Sequence, residues 1–190
     1  MRLPPLLVLT DRSQSERPLV DVVATAVEAG ARAVVLREKD LSPAERTRLA
    51  ERLHAILEPV GGLLIEAGDR GQAVHLAARA VFPRHRPALV GRSCHDADEV
   101  ATAGVEGCDY VTISPVFTTL SKPGYGPALG PAGFGRLAAG APPAYALGGV
   151  HPQDVASCLA AGAAGVAVMG AVMRTPELVG SYLAALQQEA

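Results

Sequence analysis

The run Leu159-Ala160-Ala161-Gly162-Ala163-Ala164-Gly165-Val166-Ala167-Val168 reads as the end of a helix, a glycine turn and a buried strand in immediate succession. Glycine accepts the left-handed conformation that closes a helix. An apolar run without polar alternation implies burial on both faces, which marks a strand in a parallel sheet. The same phrase stands at Glu28-Ala29-Gly30-Ala31-Arg32-Ala33-Val34-Val35-Leu36. A looser copy is Thr102-Ala103-Gly104-Val105-Glu106-Gly107-Cys108-Asp109-Tyr110-Val111. A junction that recurs along the chain predicts repeated β-then-α units.

Helix starts agree with this reading. Ser42-Pro43-Ala44-Glu45 is a capping box with proline in the first turn, and Leu49, Leu53, Ile56 and Leu57 follow it as one apolar stripe at helical spacing. Asp96-Ala97-Asp98-Glu99 repeats the box pattern, and His151-Pro152 and Thr175-Pro176 mark two further starts. Strands are expected near residues 6–10, 32–37, 62–66, 79–82, 88–91, 109–113, 143–147 and 164–168. Right-handed β-α units of this kind close into a (β/α)8 barrel or stay as an open doubly wound sheet; eight strands favour the TIM barrel. The chain of 190 residues is short for one, so its loops must be tight. It reads as one α/β domain over residues 1–190, with no linker or low-complexity segment.

Composition excludes several classes of function. The formal net charge is −2 with mixed signs, which gives no basic stripe for nucleic acid. No apolar run reaches the length of a membrane span, and the first residues lack the pattern of a signal peptide. A cytoplasmic location is the expectation, and association into a homo-oligomer is compatible with it. Cys94, Cys108 and Cys158 show no metal-type spacing. Cys108 and Cys158 read as small core residues, whereas Cys94, between Ser93 and His95, stays open as a reactive thiol.

In such a barrel the site lies where strands end and βα loops begin, and the chemically loaded segments fall there. Leu36-Arg37-Glu38-Lys39-Asp40 follows the second strand. Arg37 and Lys39 alternate, so both are expected to point into the barrel mouth, where two cations suit a diphosphate. Ser93-Cys94-His95 follows the fifth strand; Ser93 is a hydrogen-bond donor to a ligand, and His95 is either a helix cap or a general acid-base group. Ser114-Pro115-Val116-Phe117-Thr118-Thr119-Leu120-Ser121-Lys122-Pro123-Gly124 follows the sixth. Its hydroxyls and ammonium suit phosphate oxygens, and Tyr125 beyond it is placed to cover the site. Gly148-Gly149 ends the seventh strand and Met169-Gly170 the eighth, where backbone amides form the phosphate site of many barrels. Asp11 and Arg12, after the first strand, are either a cap and a surface charge or a polar floor to the site. His54, His75 and His85 read as structural or exposed residues on helices or charged loops.

Taken together, Leu9-Thr10-Asp11-Arg12, Leu36-Arg37-Glu38-Lys39, Ser93-Cys94-His95, the Pro115–Lys122 loop and the Gly148-Gly149 turn resemble the thiamine-phosphate synthase/TenI family. The resemblance implies a barrel of thiamine biosynthesis that binds a thiazole phosphate. By resemblance, Arg37, Lys39, Ser93 and Lys122 hold a diphosphate, Thr119 and Ser121 sit near the thiazole, and Gly149 and Gly170 offer amides to its phosphate.

The family's synthase joins a hydroxymethylpyrimidine diphosphate to a thiazole phosphate. It holds Mg2+ with aspartates after the third and fourth strands. Here those places read Leu64-Ile65-Glu66-Ala67-Gly68-Asp69-Arg70 and Phe82-Pro83-Arg84-His85, so Glu66 or Asp69 offers one ligand but not two. Val35 also replaces the family's glutamine. These departures point toward the TenI-type thiazole tautomerase, with His95 and Lys122 as catalytic candidates, Cys94 next, and no cofactor. Pro115, where TenI commonly carries histidine, points back to the synthase, which would bring Mg2+. A non-catalytic phosphate-binding paralogue is the third alternative.

Overall fold

A computed structural model describes residues 3–119 and 127–188 of the chain. Eight strands, β1 (Leu6–Leu9), β2 (Ala33–Leu36), β3 (Leu63–Ala67), β4 (Ala73–Leu76), β5 (Leu89–Cys94), β6 (Tyr110–Ile113), β7 (Ala144–Leu147) and β8 (Gly165–Val168), pair in parallel in sequence order. The pairing of β8 back onto β1, with Leu7 opposite Ala167, closes the barrel. The helices are α1 (Leu19–Glu28), α2 (Pro43–Leu57), α3 (Ala97–Val105), α4 (Gly130–Ala138), α5 (Val155–Ala160), α6 (Gly170–Arg174) and α7 (Leu178–Gln187). The (β/α)8 expectation is met.

Strand alternation sorts the apolar residues into two shells. Leu7, Leu9, Ala33, Val35, Ile65, Leu89, Tyr110, Tyr145 and Ala167 fill the barrel interior. Their neighbours Leu6, Val8, Val34, Leu36, Val74, Val90, Val111, Ala146 and Val166 face the helices. Two large-small pairs fill the interior. A Cβ on Gly91 would lie 2.1 Å from Tyr110 Cζ, and one on Gly165 would lie 2.8 Å from Tyr145 Cε1. Each tyrosine therefore crosses the strand position that glycine leaves open. The two rings meet edge to face at 5.7 Å between centroids.

The helix ends form as their sequences dictate. Ser42 and Glu45 make the reciprocal capping box of α2, and Asp96 Oδ1 accepts the Glu99 amide at 2.8 Å to cap α3. The turns after α1 and α5 place Gly30 and Gly162 at φ 110° and 93°.

The fourth strand departs from expectation. It is Ala73–Leu76 and not residues 79–82; Val81, in the expected segment, is 86% exposed. No helix separates β3 from β4 or β4 from β5. Only residues 68–72 lie between β3 and β4, although parallel neighbours ordinarily need a crossover of about a dozen residues or more. This is how 190 residues close an eight-stranded barrel.

Arginines stand where crossover helices would cover the sheet. Arg92, on the outward face of β5 and 1% exposed, donates Nη1 to the carbonyls of Ala77, Ala78 and Ala80 at 3.2, 2.8 and 2.9 Å and pairs through Nη2 with Glu106. Arg46, from α2, reaches the carbonyls of Leu36 and Ala67.

Candidate active site

A cavity of about 190 Å³ opens at the C-terminal ends of the strands. Each wall comes from a different βα junction. Arg37 follows β2, Ser93 lies near the end of β5 and His95 follows it. Ser114, Pro115, Thr118 and Thr119 come after β6, Gly148 to His151 after β7, and Met169, Gly170 and Ala171 after β8. Arg174, in α6, completes the rim. Among the described residues no carboxylate lines this cavity, while two guanidinium groups and two imidazoles do. The lining suits an anionic ligand.

Arg37 is held at the mouth over β1. Its backbone N–H donates to the buried Thr10 hydroxyl at 3.0 Å, and its Nη1 lies 2.8 Å from Sδ of Met169, which follows β8. The alternation of the segment is visible in Glu38, which turns the other way, is buried, and accepts from Arg12 N and Nη1 at 3.1 and 3.0 Å. Lys39 is exposed and is not among the described residues lining the cavity, although its charge reaches His75 inside the barrel.

The Gly148-Gly149 turn is set by close approach. The Val116 and Phe117 amides donate to the Leu147 and Gly148 carbonyls, both at 2.9 Å, so the β6 and β7 loops run side by side. A Cβ on Gly149 would lie 2.3 Å from the Thr118 carbonyl oxygen, and its φ is 65°. Thr118 is thereby brought against the glycine turn, and Thr119 lines the cavity. Lys122, Ser121 and Tyr125 lie outside the described residues.

His95 lines the cavity with Nδ1 2.8 Å from Glu99 Oε2, which also accepts the His95 amide at 2.8 Å. The carboxylate fixes the ring and leaves Nε2 as its second nitrogen. Cys94 does not join it. Its side chain belongs to the outer shell, fully buried, and burial followed by the charge of Glu99 pushes the thiol up to about 12. The expectation of a reactive thiol is corrected: Cys94 is an inert core residue.

Asp11 and Arg12 are not a floor. Asp11 caps the turn at Arg12–Gln14, accepting from Ser13 N at 3.2 Å and Gln14 Nε2 at 2.7 Å. Arg12 pairs with Glu38 and Asp40.

His75 also needs correction. It is neither on a helix nor in a charged loop but inside the barrel on β4, 5% exposed, between Tyr110 Oη at 3.0 Å and Ser93 Oγ at 2.9 Å. The available signal was an imidazole between Val74 and Leu76 in a short apolar run. Arg174 was missed altogether; nothing in its local sequence marks it.

The carboxylates considered for a metal do not converge. Glu66 shares the outward parity of Leu64, the inward position beside it is Ala67, and Asp69 is exposed in the turn. With β4 correctly placed, residues 77–88 still contain no Asp or Glu. Among the described residues no three His, Cys, Asp or Glu side chains form a metal-holding group. None of the described helices is long and apolar enough to cross a membrane.

The closed barrel, with a cation-lined cavity at its C-terminal mouth, is a (β/α)8 barrel whose cavity suits a small anionic ligand. The chain belongs to the thiamine monophosphate synthase family, whose model matches residues 6–172. It is 35% identical over 192 residues to a thiamine-phosphate synthase of Methanoregula boonei, covering 92% of this chain and 88% of that one. It is 31% identical over 189 residues to a thiamine-phosphate synthase of Roseiflexus castenholzii, covering 90% and 81%. The fold is similar to that of a thiamine phosphate pyrophosphorylase from Pyrococcus furiosus, with a TM-score of 0.80 at 23% identity over 97% of this chain and 96% of that one.

Proposed function

We propose that this enzyme joins a hydroxymethylpyrimidine diphosphate to a thiazole phosphate and releases pyrophosphate. The observation that carries the reading is the family match combined with a cavity that faces Arg37 and Ser93 toward the Gly149 and Gly170 turns. The bond from the pyrimidine methylene carbon to the diphosphate oxygen breaks, and the oxygen keeps the electron pair. The thiazole nitrogen supplies the pair for the new carbon–nitrogen bond. Charge builds on the departing diphosphate, where donors already in place stabilise it best.

In this reading Arg37, Lys39, Ser93 and Lys122 bind the diphosphate. Thr119 and Ser121 orient the thiazole, and the amides at Gly149 and Gly170 take its phosphate. The described residues do not fit the aspartate set that the family resemblance implies for Mg2+, so the role of charge neutralisation falls to the cations.

A specific observation supports thiazole tautomerisation as a second reading: His95, held by Glu99, is placed as a proton carrier on a cavity that no described carboxylate lines. The test is to incubate the purified protein with both substrates, with Mg2+ and with a chelator, and to quantify thiamine phosphate. Product formation is expected. Absence of product, together with His95-dependent proton exchange in a thiazole carboxylate phosphate, would replace the synthase with the tautomerase.

A further inference from the structure

The proposed reaction gives no task to His75, Tyr110 or Thr112, although all three are buried polar groups inside the barrel. The sheet register explains how they meet. Gly91 on β5 stands level with His75 on one side and Tyr110 on the other. The Tyr110 ring crosses the space above Gly91 and brings its hydroxyl to His75 Nδ1 at 3.0 Å. One row higher, Ser93 is level with Thr112, and Ser93 Oγ lies 2.9 Å from His75 Nε2. Thr112 Oγ1 is at 3.5 Å from the same nitrogen. Ser93 is the member of this group that reaches the cavity.

Proton accounting selects one tautomer. The Tyr110 hydroxyl has His75 Nδ1 as its one hydrogen-bond partner among the described residues. If Nδ1 carried the proton, the phenol would accept and its own O–H would be buried without an acceptor, the unfavourable arrangement for such a group. Ser93 would then spend its proton on Nε2. If Tyr110 donates to Nδ1, the imidazole proton sits on Nε2 and is accepted by Ser93 Oγ, with Thr112 Oγ1 as a second, weaker acceptor. The hydroxyl proton of Ser93 is then left for the cavity.

We propose that His75 is a positioning residue, locked by Tyr110 as the Nε2–H tautomer, that turns Ser93 into a hydrogen-bond donor aimed at an anionic ligand oxygen. The charged groups acting on His75 are Arg37, Lys39 and Arg92, all cationic; together with burial they keep the imidazole neutral. A neutral ring is what the relay requires, because it must accept at one nitrogen and donate at the other. The inference deepens the diphosphate-binding reading, on which the choice of ligand rests, but the tautomer itself does not depend on that reading.

Two measurements on the full-length protein test it. Nitrogen-15 correlation spectra of the histidine rings should give His75 as the Nε2–H tautomer at neutral pH; an Nδ1–H pattern would overturn the proposal. Calorimetric titration with inorganic pyrophosphate then reads the donor. Ser93→Ala is expected to weaken binding about tenfold. Tyr110→Phe keeps the ring over Gly91 and is expected to weaken binding about threefold to tenfold, with no further loss in the Ser93→Ala background. Equal losses in both backgrounds would make Tyr110 merely structural, and failure of the wild type to bind pyrophosphate would remove the donor role. Absence of thiamine phosphate synthesis with the tautomer and coupling intact would instead overturn only the proposed reaction.

Discussion

Acidification should destabilise this protein through His75 before its carboxylates titrate. Burial first, and then the charges of Arg37, Lys39 and Arg92, lower the His75 pKa from 6.5 to about 3 in the folded chain. Between those values the unfolded chain binds a proton that the folded one excludes. Stability from this group is therefore fully present above 6.5 and is lost as pH falls toward 3. The slope reaches about 1.4 kcal/mol per pH unit, and between about pH 7.5 and pH 5 the loss comes to about 2 kcal/mol. The assay is urea denaturation at several pH values over that range, run in parallel on His75→Gln. Glutamine keeps an amide near Ser93 but does not titrate, so its stability curve should be flatter than the wild type's by that amount. Identical pH slopes for the two proteins would refute the reasoning.

Gly149→Ala puts a methyl group 2.3 Å from the Thr118 carbonyl at a φ of 65°; it should separate the β6 and β7 loops, destabilise by at least about 1–2 kcal/mol, and raise KM for thiazole phosphate in steady-state assays. Arg92→Ala strands Glu106 and releases three carbonyls of the β4–β5 connection. A loss of about 3 kcal/mol in chemical denaturation is expected, with hydrogen exchange rising first over residues 77–82. Arg37→Ala removes a guanidinium that lines the cavity mouth; kcat/KM for the pyrimidine diphosphate should fall about a hundredfold with little change in denaturation midpoint.

Much of the barrel is legible because strand burial on both faces leaves a signature in composition. Val34-Val35-Leu36 and Gly165-Val166-Ala167-Val168 have one reading, and each sits after a glycine-capped helix. The fourth strand was not legible for the same reason reversed. One of its two inward positions is a histidine, and its crossovers carry no helix to bracket it, while Ala80-Val81-Phe82 offers a more apolar decoy. The cavity was readable at Arg37, Ser93, His95 and the glycine turns because those residues sit directly at strand ends. Cys94 shares that position but points outward, a parity that a boundary error in β5 hides; the strand runs to Cys94 through polar residues Arg92 and Ser93. Tyr110 and Gly91 were invisible as a pair, since a ring crossing a neighbouring strand is a relation between residues nineteen positions apart.

The most direct test of the account is a crystal structure of the protein soaked with thiamine phosphate and pyrophosphate. The account predicts both ligands in the one cavity, with the thiamine phosphate group on the amides at Gly149 and Gly170 and pyrophosphate oxygens on Arg37 and Ser93. Pyrophosphate bound outside this cavity, or a thiamine phosphate group seated away from the two glycine turns, would contradict it.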